Sequence, residues 1–95
     1  MPIIKATLSY KNETSDKIYQ VEIVYLSWGS YQVNFAYGKT GKKLRSGTKT
    51  DKPVTLHKAE KIFDDLVKSK KNRGYQISNY QSLYCKEIIT NIFTV

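Results

Sequence analysis

Residues 4–10 alternate Ile4, Ala6, Leu8 and Tyr10 against Lys5, Thr7 and Ser9. That period of two is the pattern of a strand with one buried face. Residues 11–17, KNETSDK, are polar and turn-forming and read as a loop. Two longer alternations follow: Tyr19, Val21, Ile23 and Tyr25, then Tyr31, Val33, Phe35 and Tyr37. The SWGS stretch between them supplies a glycine, so the two strands form an antiparallel hairpin. Residues 43–50 are β-compatible but polar, with Leu44 their one large apolar residue. They read as a fourth, edge-like strand whose lysines discourage edge-to-edge association.

From residue 55 the period changes. Leu56, Ala59, Ile62, Phe63, Leu66 and Val67 recur at helical spacing and predict an amphipathic helix over 55–73. Thr55 is the expected N-cap, with Pro53 just outside, and Gly74 the expected residue past the C-terminus. Beyond Gly74 the pattern blurs. Tyr80, Leu83, Tyr84 and Ile88 have a weak helical spacing, while strand-forming residues crowd the end. The chain therefore reads as α+β: an antiparallel sheet of four to five strands with one main helix packed across it. Residues 1–75 form the expected domain, and residues 76–95 an extension whose structure the pattern leaves open.

Length limits what such a domain does. Ninety-five residues make one small domain, which buries about 60–65% of its unfolded surface and has little room for a deep catalytic cavity. No apolar run approaches a membrane span, and the N-terminus lacks the layout of a signal peptide. A single cysteine, Cys85, permits no internal disulfide. A cytoplasmic protein is the expectation.

Charge changes the picture more. Residues 1–36 hold three basic and three acidic side chains, and residues 74–95 hold only Lys86 and Glu87. Residues 37–73 hold twelve basic against four acidic, so the whole net charge of +8 lies there. A basic region bounded so sharply suits a polyanion or an acidic protein. Part of it, Lys68, Lys70, Lys71 and Arg73, also suits a helix C-terminus.

Within that region, residues 35–50, FAYGKTGKKLRSGTKT, contain Gly38-Lys39-Thr40, the ending of a nucleotide-binding P-loop. The first glycine of that motif would fall on Val33, inside a strand, and no helix follows. The Gly38–Gly41 pair likewise matches the GxxG spacing of an RNA-clamping loop, which joins two helices rather than leaving a strand. What remains is a glycine-pinned turn that bunches Lys39, Lys42, Lys43 and Arg45, with Lys49 and Lys52 beyond it. The glycines allow positive φ and close approach of a partner's backbone, and Tyr37 offers a ring to a sugar or base.

These residues resemble a known family. KIYQVEIV, VNFAYGKTG and the long run SGTKTDKPVTLHKAEKIFDDLVKSKKNRGY, within residues 17–75, are similar to the WGR domain in its bacterial form. That module also occurs in DNA-dependent poly(ADP-ribose) polymerases. The resemblance implies an antiparallel sheet crossed by one helix and, in the polymerases, contact with DNA near a break relayed to a catalytic domain. The name-giving Trp-Gly-Arg falls on Tyr37, Gly38 and Lys39, of which only Gly38 is retained. Lysine keeps the charge of arginine but loses its planar two-pronged fork, and tyrosine keeps a smaller stacking surface.

The sequence thus points to a non-catalytic module that holds nucleic acid, DNA ahead of RNA, through Tyr37, Gly38, Lys39, Lys42, Lys43, Arg45 and Lys49. DNA ends are the finer possibility, and a second protein or a catalytic domain on another chain would read out the contact. An acidic protein partner is the alternative. No cofactor is implied. His57 lacks companions at metal-ligand spacing. Glu60 and Asp64 share the helix's solvent face without a cleft, and a Cys85–His57 dyad would need His57, remote in sequence, to approach Cys85 in space. Trp28, in the hairpin turn, is expected to fold back onto the sheet, since tryptophans bury most of their area.

Overall fold

The computed structural model describes residues 2–82. The helical spacing expected through Leu83, Tyr84 and Ile88, and the thiol of Cys85, lie outside the described residues. Five strands form one antiparallel sheet: β1 (Pro2–Lys11), β2 (Asp16–Ser27), β3 (Ser30–Lys39), β4 (Arg45–Thr48) and β5 (Gln76–Ser82). Their spatial order is β4-β3-β2-β1-β5. Among the described residues there is one helix, α1 (Leu56–Asn72), which packs on one face of the sheet. It is not long and apolar enough to cross a membrane.

The alternation read from the sequence sets the faces. Ala6 lies opposite Val21, Leu8 opposite Tyr19, and Ile23 opposite Val33. These residues are buried together with Ile4 and with Ala59 and Phe63 of α1. The core is therefore the inward half of β1–β3 under one helical stripe. The segment 11–17 is less loop than expected, because β1 and β2 extend to a Lys11–Asp16 pair. Asn12 holds the short turn between them: its Oδ1 accepts from the amides of Thr14 at 2.9 Å and Ser15 at 2.7 Å. The fourth strand is shorter than its β-compatible stretch, spanning only Arg45–Thr48.

The helix begins and ends as its sequence predicts. Thr55 is extended (φ −68°, ψ 161°), and its Oγ1 accepts from the Lys58 amide at 3.3 Å. At the other end Gly74 has φ +101°. The Tyr75 amide donates to the Lys70 carbonyl at 3.1 Å and the Gly74 amide to Lys71 at 3.0 Å. This crossed pair is the Schellman arrangement, and it satisfies carbonyls that the helix itself leaves open. It also turns the chain back toward β1, where residues 76–82 add the fifth strand. Leu8 pairs with Ile77 and Thr7 with Asn79, which leaves Ser78 as the extra residue of a bulge. Its hydroxyl donates to the Thr7 carbonyl at 3.1 Å.

Only the middle of the sheet lies under the helix. Seventeen helical residues span about 25 Å, whereas the 12-residue β2 runs about 40 Å. The four tyrosines that share one strand parity therefore divide. Tyr19 is buried and Tyr31 half-buried, but Tyr25 and Tyr37, at opposite ends, are 43% and 44% exposed. Trp28 departs from expectation most: it is 92% exposed. It stands in a two-residue turn beyond the end of the helix, where there is no covered face to fold onto.

Leu8→Ala is expected to cost about 2–5 kcal/mol, since Leu8 is fully buried between β2 and β5. Gly74→Ala is expected to cost at least about 1 kcal/mol, because its Cβ would also meet the Tyr10 ring at 3.0 Å. Urea unfolding of both variants checks these values.

Candidate nucleic-acid interface

The site is built where the sheet outruns the helix. Phe35 and Tyr37, two apart on β3, point to the helix side and stack nearly parallel, with centroids 6.1 Å apart and planes at 12°. Phe35 stacks in turn on Tyr19 of β2 at 6.3 Å and 17°. Because Tyr19 lies directly opposite Tyr37, the three rings form a floor that runs from the core outward. Its free end is Tyr37.

Cations rise around this floor from separate parts of the chain. Lys49 follows β4 and is tied by its amide to the Val33 carbonyl at 2.8 Å. Its Nζ lies 4.9 Å from the Phe35 centroid. Lys70, in the last turn of α1, places its Nζ 4.6 Å from the Tyr19 centroid and 5.6 Å from that of Tyr75. Arg73 completes the rim, and the groove they enclose with Leu66 and Ser69 has a volume of about 340 Å³. Cation–π attraction contributes about 0.5–2 kcal/mol at such contacts and holds the ammonium groups over the rings.

The charges around Lys70 all repel it. Partial burial lowers its pKa first, and then Arg73, Lys49 and Lys17 lower it further. Lys17 stands one pleat from Tyr19 on β2, with its Nζ 5.6 Å from the Tyr10 centroid. A bound anion among these cations would push the Lys70 pKa back up.

The residues expected from sequence fall into groups. Tyr37 and Lys49 line the groove. Arg45 lies opposite Tyr37 on β4, and Lys39 lies opposite Lys17 on β2, so both share the groove's side of the sheet. Lys42 and Lys43 sit in the exposed turn beside Gly41, whose φ of +82° uses its freedom as expected. That turn is held to β2 by Thr40: its amide donates to the Asp16 carbonyl at 2.9 Å, and its hydroxyl to Asp16 Oδ1 at 2.7 Å.

Gly38 behaves differently from the expectation. Its φ is not positive, and a Cβ there would meet Leu44 Cδ2 at 3.1 Å. The close approach seen there is to its own chain, with Leu44 crossing it. Lys52 lies at the far end, in the loop that leads to Val54, which bridges Tyr31.

Sequence reasoning missed Lys17, Lys70 and Arg73 as site residues. Lys70 and Arg73 read as charges that suit a helix C-terminus. The overlooked signal was spacing: Leu66, Lys70 and Arg73, four and three apart, continue the stripe that buries Phe63. Lys17 likewise shares the strand parity of Tyr19.

Among the described residues no group of three His, Cys, Asp or Glu side chains could hold a metal ion. Asp64 is exposed on α1, as expected. Burial raises its carboxyl pKa, which Lys68 lowers and Asp65 raises. With Glu60 it borders a second groove of about 400 Å³, between α1 and the β1–β5 side, floored by Ile4, Ala6, Ile77 and Phe63.

With this architecture in view, the model of the WGR domain matches residues 4–81, and the chain belongs to that family of nucleic-acid-binding modules. The match takes in most of β1 and of β5, beyond the stretch that carried the resemblance. Comparison with curated proteins and with solved structures returned no match.

Lys39 and Lys17 face each other as like charges across β3 and β2, a pairing that costs stability. Lys39→Gln is expected to stabilise the fold by a few tenths of a kcal/mol at about 10 mM salt and to be neutral near 1 M, where the Debye length is only about 3 Å. Thermal unfolding at the two ionic strengths measures it.

Proposed function

We propose that this chain is a non-catalytic module that holds nucleic acid, DNA ahead of RNA, at the aromatic and basic groove beside the C-terminus of α1. The observation that carries this reading is the set of cations around Lys70, every one of them repulsive to it, above stacked rings. Gathering like charges costs free energy in the unbound protein, and phosphate relieves that cost. Lys17, Lys39, Lys49, Lys70, Arg73 and Arg45 neutralise the backbone, Lys42 and Lys43 extend the path along the turn, and Tyr37 packs on a sugar or an unpaired base. Gly38 serves from behind by letting Leu44 close the turn.

Little base specificity follows from this design. The residues involved reach phosphates and ring faces rather than base edges. A strand end suits the site better than a duplex interior, because Tyr37 is the one ring of the floor with an exposed face and a terminal base is the easiest to unstack. Any catalytic output would come from another domain, on a partner chain or in a longer parent protein, that senses the bound state. The competing reading, an acidic protein on the same cations, makes no use of the aromatic floor.

The test is fluorescence anisotropy with labelled blunt duplex, 5′-phosphorylated duplex and single strand, DNA and RNA, at about 50 and 200 mM salt. Lys49→Ala/Lys70→Ala/Arg73→Ala is expected to weaken binding at least about 30-fold and to flatten the log–log salt slope by about 2–3. Tyr37→Ala is expected to cost about 1–3 kcal/mol while leaving that slope unchanged. Failure of every probe to bind at the lower salt would discard the nucleic-acid reading and leave the acidic protein partner.

The Lys70 titration gives a second check with its sign set by the groove. Its pKa is below that of a free lysine in the empty protein, and a bound oligonucleotide is expected to raise it. Following the lysine side-chain resonances by NMR with pH, with and without oligonucleotide, measures the shift. A Lys70 pKa that stays put on binding would place the phosphates elsewhere.

A further inference from the structure

The other end of the sheet carries a surface of opposite character. Trp28 is 92% exposed, Leu26 45% and Tyr25 43%, all within the β2–β3 turn and the strand that enters it. Gly29, with φ +74°, completes the two-residue loop closed by the Ser27–Ser30 pair. A register shift between Tyr25 and Ser27 makes Leu26 the extra residue of a bulge, and bulges re-aim the side chains they carry. Tyr25 is braced edge-on by Tyr31 at 5.7 Å and 72°. The result is a convex tip of large, stiff side chains.

We propose that this tip is a docking knob for an uncharged, apolar cleft on a protein partner, separate from the nucleic-acid groove. Three observations select that occupant. First, no Asp, Glu, Lys or Arg occurs from residue 23 to 38, in a chain of which a quarter of the residues are charged. The tip therefore carries no charge to attract a phosphate or an acidic surface, and no charge to be desolvated at a loss in an apolar cleft. Second, a convex tip of three large side chains is too small to make a stable dimer against a second copy of itself, which needs about 1,200–2,000 Å² in total. It needs a concave partner. Third, Trp and Tyr are the side chains that dominate such contacts, because they bring large area at little rotamer cost. The knob lies about 30 Å from Lys39, counted at about 3.3 Å per residue along β3, so one molecule can hold both partners at once.

The experiment uses the full chain with p-benzoylphenylalanine at position 28, irradiated in its native cells, beside a control with the same residue at position 13 in the β1–β2 turn. Position 28 is expected to yield an adduct to one protein, resistant to nuclease, that position 13 does not. With that protein purified, Trp28→Ala and Leu26→Ser are each expected to raise Kd at least about tenfold. The wild-type Kd is expected to be unchanged between about 50 and 500 mM salt, where screening would weaken a charge-driven contact. Trp28 is the chain's one tryptophan, so a blue shift of its emission in the complex reports burial of that side chain alone. Lys49→Ala/Lys70→Ala/Arg73→Ala is expected to bind this partner as wild type does, which separates this inference from the nucleic-acid reading. Equal adducts at positions 13 and 28, or Trp28 emission unchanged in the complex, would overturn the proposal. So would a blue shift produced by phosphatidylcholine vesicles with no protein adduct, which would assign the tip to a membrane surface.

Discussion

A helix rises about 1.5 Å per residue and a strand about 3.3 Å, so a helix of 17 residues cannot cover strands of 10 to 12. Much else in this molecule depends on that mismatch. Where α1 lies, the sheet is sealed by Ala59 and Phe63 and becomes core. Where α1 stops, the same strands continue with the same alternation, and their inward-facing aromatic residues emerge into solvent. One parity of side chains thus serves as core in the middle and as surface at both ends.

At the end where α1 finishes, the emergent rings meet the helix's own last turn. A helix C-terminus favours cations, which here gathers Lys70 over Tyr19 and Arg73 at the rim of the groove that Tyr37 lines. β2 and the segment after β4 add Lys17 and Lys49, though no dipole requires them there. The accumulation, together with partial burial, disfavours the charged form of Lys70. A surface held in that condition is suited to an anion, and its spread over several elements suits an extended one.

The two termini of α1 are set by different means. Thr55 satisfies one open amide from a side chain, whereas the C-terminus uses backbone alone, through the left-handed Gly74. The latter also aims the chain at the free edge of β1, so that the helix stop and the fifth strand are a single feature of the fold. The Tyr10–Tyr75 contact at 5.5 Å locks that reversal beside the basic groove, so that groove and core share a wall.

The sequence by itself determined the element types, the hairpin, the helix and both its ends, because periods of 2 and 3.6 and the capping residues are local properties of the chain. It also placed Tyr37, Lys39, Arg45 and Lys49 near one turn, through strand parity and adjacency. Other features depended on distances between elements that are remote in sequence. The register of α1 on the sheet decided that Lys70 sits over Tyr19 and that Trp28 has nothing to fold against. Crossing of Leu44 over Gly38 decided that this glycine faces its own chain. Pairing with β1 decided that residues 76–82 form a strand, where their own pattern was ambiguous. Periodicity reports which way a side chain points along its own element. Only packing decides what stands in front of it.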